Sequence, residues 1–168
     1  MKKVLIFDTC ILCIWLKLPN FDKCGPSTDL WDWQRVSEKI DNETTNKTIF
    51  VLPLASIIET GNHITHIPHS KLDCAQALAS IMRQCALEQT PWAAFSDQSI
   101  LWSSDKLNSL SNTWPDLAVQ NLSLGDATIK NVAEYYSSMG YNVEIFTADQ
   151  GLQAYAPNNP PEIPRRRK

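Results

Sequence analysis

Four acidic residues stand where a carboxylate can do chemistry: Asp8, Glu59, Asp126 and Asp149. Asp8 ends Val4-Leu5-Ile6-Phe7, an apolar run that reads as a strand buried on both faces. Glu59 falls on the helix expected after the second apolar run and shares a face with Ala55, Asn62 and His63. Asp126 opens a long amphipathic helix on the face of Ile129 and Ala133, and Asp149 follows the last strand within Thr147-Ala148-Asp149. In an open α/β sheet all four come to the carboxyl edge, where strand ends and helix N-termini converge on ligands. Hard oxygen donors gathered there suit Mg²⁺ or Mn²⁺, which keep waters and bridge substrate phosphates. One or two such ions activate water and stabilise the oxygens of an in-line phosphodiester displacement.

Each acid also has a plain reading. Ser123-Leu124-Gly125-Asp126 is a capping box, Asp149 can simply lead into the last helix, and Glu59 can face solvent. Asp8 is hardest to dismiss, because an aspartate ending a buried strand is costly unless paired or metal-bound. Singly the two readings balance; together the acid site wins.

The elements that must position these residues alternate. After the first strand a helix is expected over Thr9–Leu16, then a loop over Pro19–Thr28. A helix over Asp29–Glu43 would bury Leu30, Trp33, Val36 and Ile40. Thr48–Pro53 is a second short strand, followed by helices over Leu54–Ile64 and Ser70–Leu87. The latter points Leu72, Ala75, Leu78, Ala79, Met82 and Leu87 inward. Pro91–Phe95 is a weakly signalled third strand, and residues 96–122 hold a helix over Ile100–Leu110 and a loop around Pro115. Leu124–Met139 is a helix ended by Gly140, Tyr141–Thr147 the last strand, and Gln150–Tyr155 a short helix. The pattern predicts an α/β fold, a three-layer α/β/α sandwich around a central parallel sheet.

At 168 residues the chain is most simply one domain over 1–156, with a loop–helix insertion over 17–47 and a Pro-rich, basic, disordered tail over 157–168. Net charge is -3, and without Arg165–Lys168 it is -7. An acidic body gives no broad basic face for duplex DNA. Five cysteines, an odd number, suggest reduced thiols in the cytoplasm. Asp8 interrupts the apolar stretch that follows Lys2-Lys3, which argues against a signal peptide. No run is long and apolar enough to predict a membrane span.

The ordered set of motifs resembles a PIN domain, the nuclease fold of VapC-type toxins. The matching residues are Phe7-Asp8-Thr9, Ile58-Glu59-Thr60-Gly61-Asn62, Ser123-Leu124-Gly125-Asp126-Ala127 and Phe146-Thr147-Ala148-Asp149, in order over residues 3–156. The resemblance implies that Asp8, Glu59, Asp126 and Asp149 bind Mg²⁺ or Mn²⁺ and that Thr9 or Thr147 assists. It implies an RNA substrate, and with it a metal-dependent endoribonuclease acting as a toxin or defence effector. An inhibitory, antitoxin-like partner and a homodimer belong to the same expectation. Segment 17–47 is longer than in the compact toxins, and Gly151-Leu152 replaces an aromatic that often follows the last acid.

Other signals compete. A PIN-like binding or assembly module without cleavage would use the tryptophans of the insertion, Trp31 and Trp33, which fall on different helix faces. Cys10-Ile11-Leu12-Cys13 has the placement of a thiol redox pair, but its apolar flanks raise rather than lower a thiol pKa. His63, His66 and His69 recur every three residues like a zinc cluster, although Pro68 should end the helix before His69. His63 either contacts substrate phosphate or lies on a solvated face. The Arg165–Lys168 run either contacts RNA backbone or is a solvated tail.

Overall fold

The computed structural model describes residues 2–158. Strand β1 (Lys3–Phe7) is central, and Val4 to Phe7 are wholly inaccessible to solvent. It pairs in parallel with β4 (Ile49–Val51) on one side, Leu5 opposite Phe50. On the other side it pairs in parallel with β5 (Asn142–Phe146), Phe7 opposite Phe146. The chain leaves β1 toward one neighbour and returns later to the other. The carboxyl end of β1 is therefore the point where strand order reverses, the usual place for a ligand crevice.

Side-chain alternation sends Leu5 and Phe7 to one face and Val4 and Ile6 to the other, and helices cover both. Against the first lie α1 (Thr9–Trp15), α2 (Trp33–Thr45) and α4 (Lys71–Ala86). There the Phe7 ring meets those of Phe50, Trp92, Phe146 and Trp15 at centroid distances of 5.2 to 5.7 Å. Against the second lies α6 (Leu124–Ser138), through Ile129, Val132, Ala133 and Tyr136. Helix α3 (Leu54–His66) follows β4, and its Ser56 hydroxyl donates to the Phe7 carbonyl at 2.7 Å, fastening it to the end of the central strand. The short α7 (Gln150–Gln153) closes the described fold. The protein is thus a mixed α/β fold with a small, three-stranded parallel sheet. No helix among the described residues is long and apolar enough to cross a membrane.

Several local expectations need correction. The loop after α1 contains a small antiparallel pair, β2 (Lys23–Cys24) with β3 (Trp31–Asp32). Helix α2 therefore starts at Trp33, where the Asp32 carboxylate accepts from the Arg35 amide at 2.9 Å. Leu30 lies outside it, and Leu30 and Trp33 are exposed rather than buried. In α4 the inward face is Cys74, Leu78, Ile81 and Cys85, while Leu72, Ala75, Met82 and Leu87 are exposed. Thiols act there as small apolar packers, which a reading led by leucine and methionine misses.

Pro91–Phe95 makes only one bridge, Trp92 to Phe50, built on Phe50 N–H to the Pro91 carbonyl and Ala93 N–H to the Phe50 carbonyl, both 2.8 Å. Residues 95–119 form a 3₁₀ helix (Phe95–Trp102) and α5 (Ser104–Val119), which runs through Pro115. The bond lost at Pro115 is offset because Trp114 and Leu117 anchor against Leu110, Leu122 and Ala127, with Trp114 Nε1 donating to the Leu122 carbonyl at 3.2 Å. The expectation of a disordered tail over 157–168 lies, beyond Asn158, outside the described residues.

Lys3 ties Glu43 of α2 to Glu144 of β5, and the Thr48 hydroxyl donates to Glu43. Burial works to raise the Glu43 carboxyl, but Lys3, Thr48 and Lys39 outweigh it and hold it below its ordinary 4.5. A depressed carboxyl contributes stability above that value and loses it as pH falls through the folded-state value. Stability should therefore fall below pH 4.5 in the native chain. In Glu43→Gln this part of the acid limb should flatten, as read from urea midpoints across pH. Phe7→Ala should lower stability by about 3–5 kcal/mol in the same measurement, because it empties the centre of the aromatic cluster.

Candidate functional site

Asp8 is the N-cap of α1, its Oδ1 accepting from the Thr9 amide at 2.6 Å. Its other oxygen accepts from the Thr147 hydroxyl at 2.6 Å and lies 3.2 Å from the Cys10 thiol. Only 6 % of the residue is exposed. Burial pushes the Asp8 carboxyl above its ordinary range; the donors from Thr147, Cys10 and Thr9 pull it back only partly, and the nearby Asp126 charge adds to the rise. A cation in front of Asp8 would relieve that cost.

Glu59 projects from α3 toward the same point. The Thr9 hydroxyl donates to its Oε2 at 2.9 Å. Its other oxygen lies against Gly125 at the start of α6, so closely that a Cβ built there would collide with it. The glycine thus makes room for the carboxylate beside Asp126. Asp126 is held by Ser123: the Ser123 hydroxyl donates to Asp126 Oδ2 at 2.8 Å and accepts from the Asp126 amide at 3.0 Å. Asp149 caps α7, Oδ1 accepting from the Gly151 and Leu152 amides at 2.7 and 3.3 Å. Thr147 links this corner to the first, since its hydroxyl oxygen also accepts from the Asp149 amide at 2.9 Å.

A cavity of about 420 Å³ is lined by Asp8, Thr9, Glu59, His63 and Asp149. Of the sequence-derived acids, the fold brings Asp8, Glu59 and Asp149 to it, and Asp126 borders Glu59 through Gly125 and reaches Asp8 electrostatically. Thr9 and Thr147 are the hydroxyls that orient Glu59 and Asp8. His63 is at the cavity wall with its ring 4.9 Å from Phe21. Asn62 is exposed and absent from the cavity lining; its carbonyl is engaged by Thr65 and His66. His69 lies beyond the end of α3, beside Ser70.

The plain readings hold as well, Asp126 sitting in the first turn that Ser123 caps and Asp149 capping α7, and the two roles are compatible: the local bonds fix each carboxylate while leaving a free oxygen to a ligand. Among the described residues no three His, Cys, Asp or Glu side chains form a ready-made metal cage. That donor set still fits Mg²⁺, which is commonly held by one or two carboxylates and completes its octahedron with water and substrate.

The sequence reading weighed Cys10 and Cys13 only as a redox pair and missed Cys24 altogether. Cys10 and Cys24 both line the cavity. The proximity of Cys24, then burial, then the Asp8 charge push the Cys10 thiol far up, and the proximity of Cys10 pulls Cys24 down. Cys13, packed with Leu18 and Ile64, is pushed by burial up to about 12. Neither member of the Cys10–Cys13 pair has the lowered pKa of a redox nucleophile. Only the position of Cys10, two residues after Asp8, could have signalled its contact with that carboxylate.

Gly125→Ala should keep the fold, since the atom its Cβ meets is the tip of a flexible side chain, but displace Glu59. Mn²⁺ binding measured by calorimetry should weaken about tenfold, and unchanged affinity would remove Glu59 from the ligand set. Comparison with known proteins gives no further guide: no family model, no curated protein and no solved structure matches this chain.

Proposed function

We propose that this protein is a PIN-like, Mg²⁺- or Mn²⁺-dependent endoribonuclease whose sheet and helices form the family's three-layer α/β/α arrangement. One observation carries the reading: Asp8, Glu59 and Asp149, from distant parts of the chain, converge on a single cavity at the carboxyl end of the central strand. Asp8, Glu59, Asp126 and Asp149 are the residues that would hold the ion. When bound, it supplies positive charge for the phosphate oxygens and acidifies water for in-line attack.

The chain's own contribution is positioning. Thr147 and the Thr9 amide fix the two oxygens of Asp8, and the Thr9 hydroxyl fixes Glu59. Hydrolysis then adds a water oxygen to phosphorus as the ribose oxygen opposite departs. His63, exposed at the rim, is suited to meet a flanking RNA phosphate. By the same resemblance the proposal includes a cytoplasmic toxin or defence role, an antitoxin-like inhibitor and a homodimer.

A second reading, a PIN-like binding module that does not cleave, is favoured by the lack of a ready-made donor cage among the described residues. Assay of structured and single-stranded RNA with Mn²⁺ separates the two. Cleavage should fall about 100-fold or more in Asp8→Asn and Asp126→Asn, with circular dichroism unchanged. RNA retained without cleavage under any divalent ion would establish the binding module instead.

A further inference from the structure

Two thiols in the wall of the acid cavity have no part in the proposed chemistry. Cys10 and Cys24 both line it, and both are half-buried. Cys13 also borders it but is 0 % exposed, and Cys74 and Cys85 are buried in the core. An oxidant that enters the cavity therefore reaches Cys10 and Cys24 before the other three. These two are near neighbours, each the largest single influence on the other's proton. That influence holds the Cys24 thiol below its ordinary value, as suits an attacking sulfur.

The fold keeps the pair together. Helix α1, which carries Cys10, packs on β2, which carries Cys24. Both side chains also pack against the cluster around Phe7. Next to Cys24, Gly25 (φ 96°) comes so close to the segment after β5 that a Cβ on it would lie 3.2 Å from the Ala148 Cβ. Cys10 in turn reaches Asp8, its thiol donating to Oδ2 at 3.2 Å, the oxygen that the Thr147 hydroxyl also serves. A disulfide has no S–H. Joining Cys10 to Cys24 thus removes one of the three donors that orient and compensate this buried carboxylate.

We propose that Cys10 and Cys24 are an oxidation site, closed to a disulfide by a peroxide, and that the disulfide weakens cation binding at Asp8. First the Cys24 sulfur attacks hydrogen peroxide: an S–O bond forms, the O–O bond breaks, and the thiol proton leaves with the departing oxygen as water. The Cys10 sulfur then attacks the Cys24 sulfenic acid. An S–S bond replaces the S–O bond, and the Cys10 proton leaves with the hydroxide as a second water. Two thiols are oxidised and one peroxide is reduced. The pairing stands without the metal reading; its effect on the ion rests on that reading.

The test treats the full chain with one equivalent of hydrogen peroxide, blocks the remaining thiols and maps the disulfide by mass spectrometry. Trypsin places Cys10 in the peptide 4–17 and Cys24 in 24–35. The expected product joins these two, with fragmentation setting the bond at Cys10 rather than Cys13. A Cys10–Cys13 bond, a bond between two molecules, or none overturns the proposal. Calorimetry then compares Mn²⁺ affinity, which should be about tenfold weaker after oxidation and return with dithiothreitol. Reduced Cys10→Ala, which lacks the same donor but forms no bridge, should bind as weakly as the oxidised protein, and Cys24→Ser should no longer respond to peroxide. Equal or tighter binding after oxidation overturns the effect on Asp8. Mn²⁺ bound in neither state contradicts the proposed nuclease instead, and the disulfide map alone then decides the pairing.

Discussion

The structure depends on one buried carboxylate. Asp8 sits at the end of a strand with no solvent on either face, where an unpaired charge is among the most expensive things a protein can hold. Three donors compensate it, and they come from the first turn of α1 and from the segment that follows β5. Because β5 pairs with β1 along all five of its residues, the hydroxyl of Thr147 arrives beside Asp8 as a consequence of strand register. The sheet thus builds its polar end and its apolar core in the same step: Phe7 opposite Phe146 ends the hydrophobic ladder, and the next positions turn polar.

The remaining acids are held by devices that do two jobs. Ser123 caps α6 and donates its hydroxyl to the Asp126 carboxylate, and Asp149 caps α7, so both carboxylates are fixed at helix N-termini, where backbone dipoles favour negative charge. Glu59 has no such terminus. It depends on the Thr9 hydroxyl, and its approach to α6 depends on the missing side chain at Gly125. Capping and ligand binding are therefore not competing explanations of these residues. The order imposed by the first prepares the second, at the cost of like charge beside Asp8, whose carboxyl is raised by burial first and by the Asp126 charge in addition.

Much of this was legible in the sequence, for identifiable reasons. Long apolar runs and strong caps located β1, β5, α3 and α6 within a residue or two, and of the four acids grouped by their order along the chain Asp8, Glu59 and Asp149 line one cavity. What escaped were features set by packing. The inward face of α4 joins the expected Leu78 to Cys74, Ile81 and Cys85, and the two cysteines, which composition treats as neutral, escaped the reading. The pairing of Lys23–Cys24 with Trp31–Asp32 is too short to leave a periodic signal, and it moved the start of α2. Pro115 read as a break because the anchoring of Trp114 and Leu117 that carries the helix past it is tertiary. At the site, the thiols of Cys10 and Cys24 and the clearance at Gly125 are matters of distance that no spacing rule encodes.

The proposed activity follows from the convergence of oxygen donors rather than from any single acid. Its most direct test is to grow crystals in the presence of Mn²⁺ and collect anomalous diffraction. The account predicts a strong anomalous peak in the cavity, within bonding distance of Asp8 and a second member of the set Glu59, Asp126 and Asp149. Crystals that hold Mn²⁺ only elsewhere on the surface, or none at saturating concentration, would contradict it.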